Sequence, residues 1–183
     1  MNFEKNGIMK VYIIRHGEVL HNRLKIYDSS DEELTDLGIA QAKVAKDKLK
    51  DISFDVIYAS PLKRTTQTAH LVNENHYPVI FDERLRERNC GNLSGKPLSF
   101  TNREEYWNYY SLVNYAGEET MKNFFARVFS FIEDLKKENF QQVLIVLHSG
   151  VSKAFSAYFE GIQDGLFLNR GLKNCEIKIY NLK

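Results

Sequence analysis

Lys10-Val11-Tyr12-Ile13-Ile14-Arg15-His16-Gly17-Glu18 decides how the rest of the chain is read. After its lysine, the stretch is β-branched and aromatic with no polar alternation, the pattern of a parallel strand buried on both faces. The polar quartet that follows then opens a loop at the strand's carboxyl end. Similar transitions recur downstream. Val56-Ile57-Tyr58-Ala59 runs into Ser60-Pro61, Val79-Ile80-Phe81 into a polar stretch from Asp82 to Lys96, and Val143-Leu144-Ile145-Val146-Leu147 into His148-Ser149-Gly150. A last strand, Glu176 to Tyr180, alternates.

Helical periodicity fills the intervals. Thr35 can cap a helix whose positions Leu37, Ala40, Val44, Ala45 and Leu49 form one apolar face. Pro61 at a first turn favours a helix continuing through Ala69, Leu71 and Val72. From Thr120, Met121, Phe124, Phe125, Val128, Phe131, Ile132 and Leu135 trace a strongly apolar stripe that should pack on the sheet. Another helix runs on from Gly150 through Ala154, Phe155 and Tyr158. This alternation predicts an α/β three-layer sandwich with a largely parallel central sheet, whose ligands bind beyond the carboxyl ends of the strands. The aromatic-rich stretch with Phe100, Tyr106, Trp107, Tyr109, Tyr110 and Tyr115 predicts a small cap inserted at about 92–118 of a single domain spanning 1–183. Its rings serve either packing or a pocket.

Composition narrows the function. The 183 residues (21.3 kDa) carry 25 Lys and Arg against 24 Asp and Glu, so no global field draws in nucleic acid or an anionic membrane, and an anion site must be local. No run is long and apolar enough to span a bilayer. Met1 to Ile8 lacks a signal-peptide core, so a polar extension and a cytoplasmic location are expected, with Met9 a conceivable alternative start. Cys90 and Cys175 show no CxxC spacing and fit reduced thiols better than a disulfide framework.

The polar residues at the strand ends suit phosphoryl chemistry. Neutral imidazole is a competent nucleophile near pH 7, so His16 can form a phosphoramidate. Arg15 and Arg64 suit bidentate grip on phosphoryl oxygens, and His148, if protonated, adds a third positive donor.

Taken together, Arg15-His16-Gly17-Glu18 with Asn22, Ser60-Pro61-Leu62-Lys63-Arg64-Thr65-Thr66-Gln67-Thr68-Ala69, Leu85-Arg86-Glu87 with Gly91, Gly117-Glu118-Glu119-Thr120, His148 and Asn174-Cys175 resemble the histidine phosphatase superfamily, the phosphoglycerate mutase-like group, from about Lys10 to Tyr180. The resemblance implies that fold and a catalytic set of His16, Glu87, Arg15, Arg64 and His148. Glu87 is implied as proton donor to the leaving alkoxide, a role helped by the general tendency of a nearby dianion to favour a protonated carboxyl. Asn22 and Ser149 are implied as substrate contacts. No metal or cofactor is expected, and the partner is a small phosphorylated substrate. Glu87 also admits a plainer reading as a surface charge in the run Arg84 to Arg88, and His21 that of an exposed loop residue.

The chain departs from the family pattern at Val19, where Ser or Thr is common, at Ser149, where glycine is common, and at Lys153, where arginine is frequent. The basic residues that mutases carry after their catalytic glutamate are not clearly reproduced in Arg88-Asn89-Cys90-Gly91-Asn92. A phosphatase acting on a small phosphomonoester is therefore expected. Mutase-type transfer, a non-catalytic phosphate-binding regulatory domain, and a metal-dependent hydrolase using His16, Glu18, His21 and His148 are the competing readings.

Overall fold

The computed structural model describes residues 7–27 and 30–183; most of the expected N-terminal extension lies outside them. Five strands form one sheet in the order β3-β2-β4-β1-β5. They are β1 (Met9–Arg15), β2 (Val56–Ala59), β3 (Val79–Phe81), β4 (Gln142–Leu147) and β5 (Ile177–Leu182). The first four run parallel to their neighbours, and β5 pairs antiparallel with β1. The apolar runs of β1 and β4 are buried on both faces, as expected. Val11 and Ile13 enter one core, while Tyr12 and Ile14 enter the other.

Helices cover both faces, giving three layers. On one side lie α5 (Met121–Leu135) and α6 (Ser149–Glu160). Every apolar position of the α5 stripe is buried, and Thr120 caps the helix by accepting the amide of Asn123 at 3.2 Å. On the other side lie α2 (Asp36–Leu49) and α3 (Lys63–Val72). Short helices α1 (Leu20–Leu24) and α4 (Arg103–Tyr106) complete the set.

Two helices differ from expectation. In α2 the buried face is Gly38, Ala42, Ala45 and Leu49, while Leu37 and Val44 are exposed. The small residues face inward because α2 approaches the β1 loop so closely that a Cβ on Gly38 would overlap the carbonyl of Glu18. In α3 the helix starts at Lys63 with Leu62 as its cap, so Pro61 lies in the preceding turn. Thr65 Oγ1 secures that turn by donating to the carbonyls of Ser60 and Leu62. The final strand begins one residue later than expected and runs two further.

Between β3 and α5 the chain leaves the sheet through three short 3-10 turns and α4. Its aromatic residues divide between duties. Tyr106 and Trp107 are buried and join the main core, whereas Phe100 and Tyr110 are exposed. Cys90 and Cys175 are both free and buried. No helix among the described residues is long and apolar enough to cross a membrane.

Candidate active site

Parallel register brings the motifs together. Arg15 of β1 pairs with Leu147 of β4, and the His16 amide donates to the Leu147 carbonyl at 2.9 Å. His16 and His148 therefore leave neighbouring strands side by side, their rings 5.1 Å apart and edge to face. The Ser60 amide, at the end of β2, donates to the Val146 carbonyl on the other flank of β4. A cavity of about 340 Å³ opens here, lined by Arg15, His16 and Arg64 from strand ends and a helix start, and by Glu87, Tyr106 and Trp107 from the excursion.

His16 is nearly fully buried, and its Nδ1 lies 2.7 Å from the carbonyl of Gly17. A carbonyl only accepts, so Nδ1 carries the proton and Nε2 keeps its lone pair. Burial, then the charges of Arg64 and Arg15, hold the ring's pKa well below that of free histidine, so it is neutral at pH 7. The loop bearing it is pinned from several directions. Thr68 Oγ1 accepts the Gly17 amide at 3.1 Å while donating to the Arg64 carbonyl at 2.7 Å, and Asn174 Nδ2 donates to the His16 carbonyl at 3.0 Å. Gly17 also has no room for a Cβ, which would overlap Gly38.

Arg15 gives one Nη1 hydrogen to the Leu172 carbonyl at 3.0 Å, while its buried Nε has no partner. A buried guanidinium N–H left open beside the cavity suits an anion. Arg64, 3 % exposed, donates from Nε to His148 Nδ1 at 3.3 Å and from Nη1 to the Ser30 carbonyl at 3.0 Å. Because Nδ1 accepts, the proton of His148 sits on Nε2, which faces Ser60 Oγ at 2.9 Å.

That arrangement bears on the charge of His148. His148 is fully buried, its pKa is held well below 6.5 by burial and then by Arg64, and it is absent from the cavity lining. In this arrangement the ring is neutral, supports Arg64 and neighbours His16, and protonation, the condition for a third positive donor, is disfavoured.

Glu87 faces the cavity rather than solvent. Its Oε1 accepts the Arg88 amide and its Oε2 the Gly150 amide, each at 2.9 Å. Asn22 and Ser149 line the same cavity. Asn22 Oδ1 accepts from the Val19 amide and from Asn174 Nδ2, which turns its own amide group into the site as a donor.

Other candidates go elsewhere. Glu18 binds Arg23 and Thr35, and its pKa is lowered chiefly by the hydrogen bond from Arg23, so it fastens α1 to the start of α2. His21 is half-buried rather than exposed; it lines the cavity and contacts Glu32 at 2.5 Å. Among the described residues no three His, Cys, Asp or Glu side chains form a metal-ligand group. Thr68, Gly150, Asn174, Arg103, Trp107 and Lys153 contribute to the site without having been assigned from sequence. Thr68 and Asn174 belong to the 60–69 and Asn174-Cys175 motifs, and their spacing was the available signal.

Comparison with known proteins agrees with this geometry. A relative from Hydrogenobacter thermophilus named "Putative phosphoserine phosphatase 2" is 32 % identical, over 84 % of this chain and 79 % of its own. An uncharacterized phosphatase, PhoE, from Bacillus subtilis is 31 % identical over 94 % of each chain. The solved structure of an alpha-ribazole phosphatase from Shigella flexneri superposes with a TM-score of 0.74 at 31 % identity, covering 84 % of this chain and 80 % of that one. A family model covers residues 11–183, and by it the chain belongs to the histidine phosphatase superfamily, branch 1.

Proposed function

We propose that this protein is a phosphatase that hydrolyses a small phosphomonoester through a phosphohistidine on His16. The observation that carries the reading is the His16 tautomer. Its Nδ1–H is committed to the Gly17 carbonyl, which leaves the Nε2 lone pair free, and the residue lines a cavity shared with Arg15, Arg64 and Glu87. A nucleophile, a cationic cradle and a proton carrier thus share one small volume.

In the first step the Nε2 lone pair attacks phosphorus. A P–N bond forms, the ester P–O bond breaks, and the leaving alkoxide takes a proton from Glu87. The Nδ1–H bond to Gly17 then supports the positive ring. In the second step water attacks phosphorus, Glu87 takes its proton, the P–N bond breaks, and neutral His16 is restored with inorganic phosphate released. Arg15 and Arg64 hold the non-bridging oxygens throughout. His148 and Ser60 keep Arg64 aimed, and Asn22 and Ser149 add polar contacts.

The test combines phosphate release with trapping. Wild type should turn over p-nitrophenyl phosphate, and acid-labile, base-stable phosphate should be recovered on His16. His16→Ala should lose both. Absence of wild-type turnover on this substrate and on a panel of phosphorylated metabolites would favour a phosphate-binding module instead.

A further inference from the structure

The guanidinium of Arg64 is aimed from two sides. Nε donates to His148 Nδ1 at 3.3 Å, and Nη1 donates to the Ser30 carbonyl at 3.0 Å. The first partner is a fully buried ring at the end of β4. The second is a main-chain oxygen of Ser30-Asp31-Glu32-Glu33-Leu34, an irregular stretch between α1 and α2 that lies outside the motifs read from sequence. Such a carbonyl fixes a guanidinium only if the stretch carrying it is itself fastened.

Three side chains fasten residues 30–34. Asp31 Oδ1 accepts the Lys63 amide at 2.6 Å, which ties the residue after Ser30 to the first turn of α3, beside Arg64 itself. Gln67 Oε1, one turn further along α3, accepts the Leu34 amide at 2.7 Å. Glu32 reaches the other way, to α1. Its Oε2 accepts the His21 amide at 3.3 Å, and its Oε1 lies 2.5 Å from His21 Nδ1. Side-chain exposure is 18 % for Glu32 and 20 % for His21, so water screens this pair only in part. Glu33, by contrast, meets Lys63 Nζ at 3.9 Å with both side chains exposed, a pair that contributes little.

We propose that Glu32 is a positioning residue for phosphate binding: by clamping His21 it holds residues 30–34 between α1 and α3 and keeps the Ser30 carbonyl where it aims Arg64. This rests on the phosphatase reading, in which Arg64 grips the phosphoryl oxygens. The role has a distinctive sign. A carboxylate near an anion site repels the anion, so removing its charge alone strengthens phosphate binding. Losing the aim of Arg64 weakens it. The two effects move affinity in opposite directions.

Calorimetry of inorganic phosphate binding to His16→Ala tests this, because that variant keeps the cradle without turnover. Adding Glu32→Ala should weaken binding about 10-fold, within the range of coupling inside one hydrogen-bond network. Glu32→Gln keeps an acceptor for His21 and should lose less. With Arg64→Lys also present, which keeps the charge but has no guanidinium edge to aim, Glu32→Ala should cost little. Where Glu32→Ala does not fold, Glu32→Leu, similar in size and unable to accept a hydrogen bond, takes its place under the same criteria. With His16 intact, Glu32→Ala should lower kcat/KM on p-nitrophenyl phosphate by a similar factor.

Unchanged or tighter phosphate binding in Glu32→Ala would overturn the positioning role and leave the phosphatase reading standing. An equal loss in the Arg64→Lys background would overturn it too, because the effect would then not pass through Arg64. Weaker binding that depends on Arg64, in a protein whose wild type shows no turnover, would support the positioning role and overturn the phosphatase.

Discussion

The amide of Gly150 donates to Glu87 Oε2 at 2.9 Å, and a Cβ at position 150 would overlap the other oxygen of the same carboxylate and stand 2.8 Å from Trp107 Cη2. One glycine thus sets both the proton carrier and a wall of the cavity. Gly150→Ala should displace Glu87. Where Glu87 serves as general acid, the loss should be about 100-fold on alkyl phosphates, whose leaving groups need a proton, and much smaller on p-nitrophenyl phosphate. Equal losses on both would show that Glu87 does not protonate the leaving group.

Thr68 holds the nucleophile's loop through two bonds, to the Gly17 amide and the Arg64 carbonyl. Thr68→Val keeps the shape but strands a buried amide, at a cost of about 1–3 kcal/mol in urea denaturation. Thr68→Ser should recover most of the stability and activity. If Thr68→Val is as stable as wild type, the bond to Gly17 is dispensable.

Both histidines of the site have folded pKa values below the unfolded value, chiefly through burial. Below pH 6.5 the unfolded chain therefore binds protons that the native state refuses, and stability falls as pH drops, by up to about 1.4 kcal/mol per pH unit for each histidine. Replacing His148 with Gln should flatten the slope of unfolding free energy against pH between 6.5 and 5. The acid limb of kcat/KM should lie below pH 6.5 for the same reason. An unchanged slope in His148→Gln would show that this ring is already protonated in the native protein.

Much of this was legible in sequence. Strands β1 and β4 are apolar throughout because they are buried on both faces, and α5 shows its stripe because it packs on one face only. Arg15, His16, Arg64 and His148 stood out because each lies at a strand end or a helix start, whereas Glu87, in the loop after a 3-10 turn, was implied only by the family resemblance. Approaches between backbones were not. Gly38 carries no periodic signal, so α2 was read with Leu37 and Val44 inward, whereas contact with the Glu18 loop selects its smallest face. Lys153 and Arg103 lie far apart in the chain and come to line one cavity only in the fold. His148 was identifiable by position, but its protonation depends on burial and on Arg64.

Lys153 has its pKa lowered to about 7, by burial first and then by Arg103. Between pH 7 and 10.5 the unfolded state holds a proton that the native state lacks, so this lysine's contribution to stability rises with pH across that window. An anionic ligand beside Nζ favours the charged form. Binding of inorganic phosphate to His16→Ala at pH 8, in the cavity that Lys153 also lines, should therefore take up protons, seen as a dependence of calorimetric enthalpy on buffer ionisation heat. Adding Lys153→Met should abolish the uptake. Uptake that persists in that variant would assign the proton to another group.

Arg88 was read within a charged surface run, yet its side chain is buried. Its Nε donates to the Glu119 carbonyl at 2.8 Å and its Nη1 to the Tyr106 carbonyl at 2.7 Å, while Nη2 lies 3.4 Å from Glu118 Oε1. The guanidinium also lies 4.2 Å over the Tyr106 ring. Side-chain exposure is 3 % for Arg88 and 1 % for Glu118, so solvent screens this pair little. Removing one partner leaves a buried charge and two carbonyls uncompensated, and Arg88→Met should cost about 3–5 kcal/mol. Arg88→Met with Glu118→Gln should cost less than Arg88→Met alone, because the second change removes the stranded charge. Denaturant unfolding of the two variants checks this. A double variant less stable than Arg88→Met would mean that Glu118 is held mainly by other groups, such as the Tyr115 amide that donates to its Oε1 at 3.0 Å.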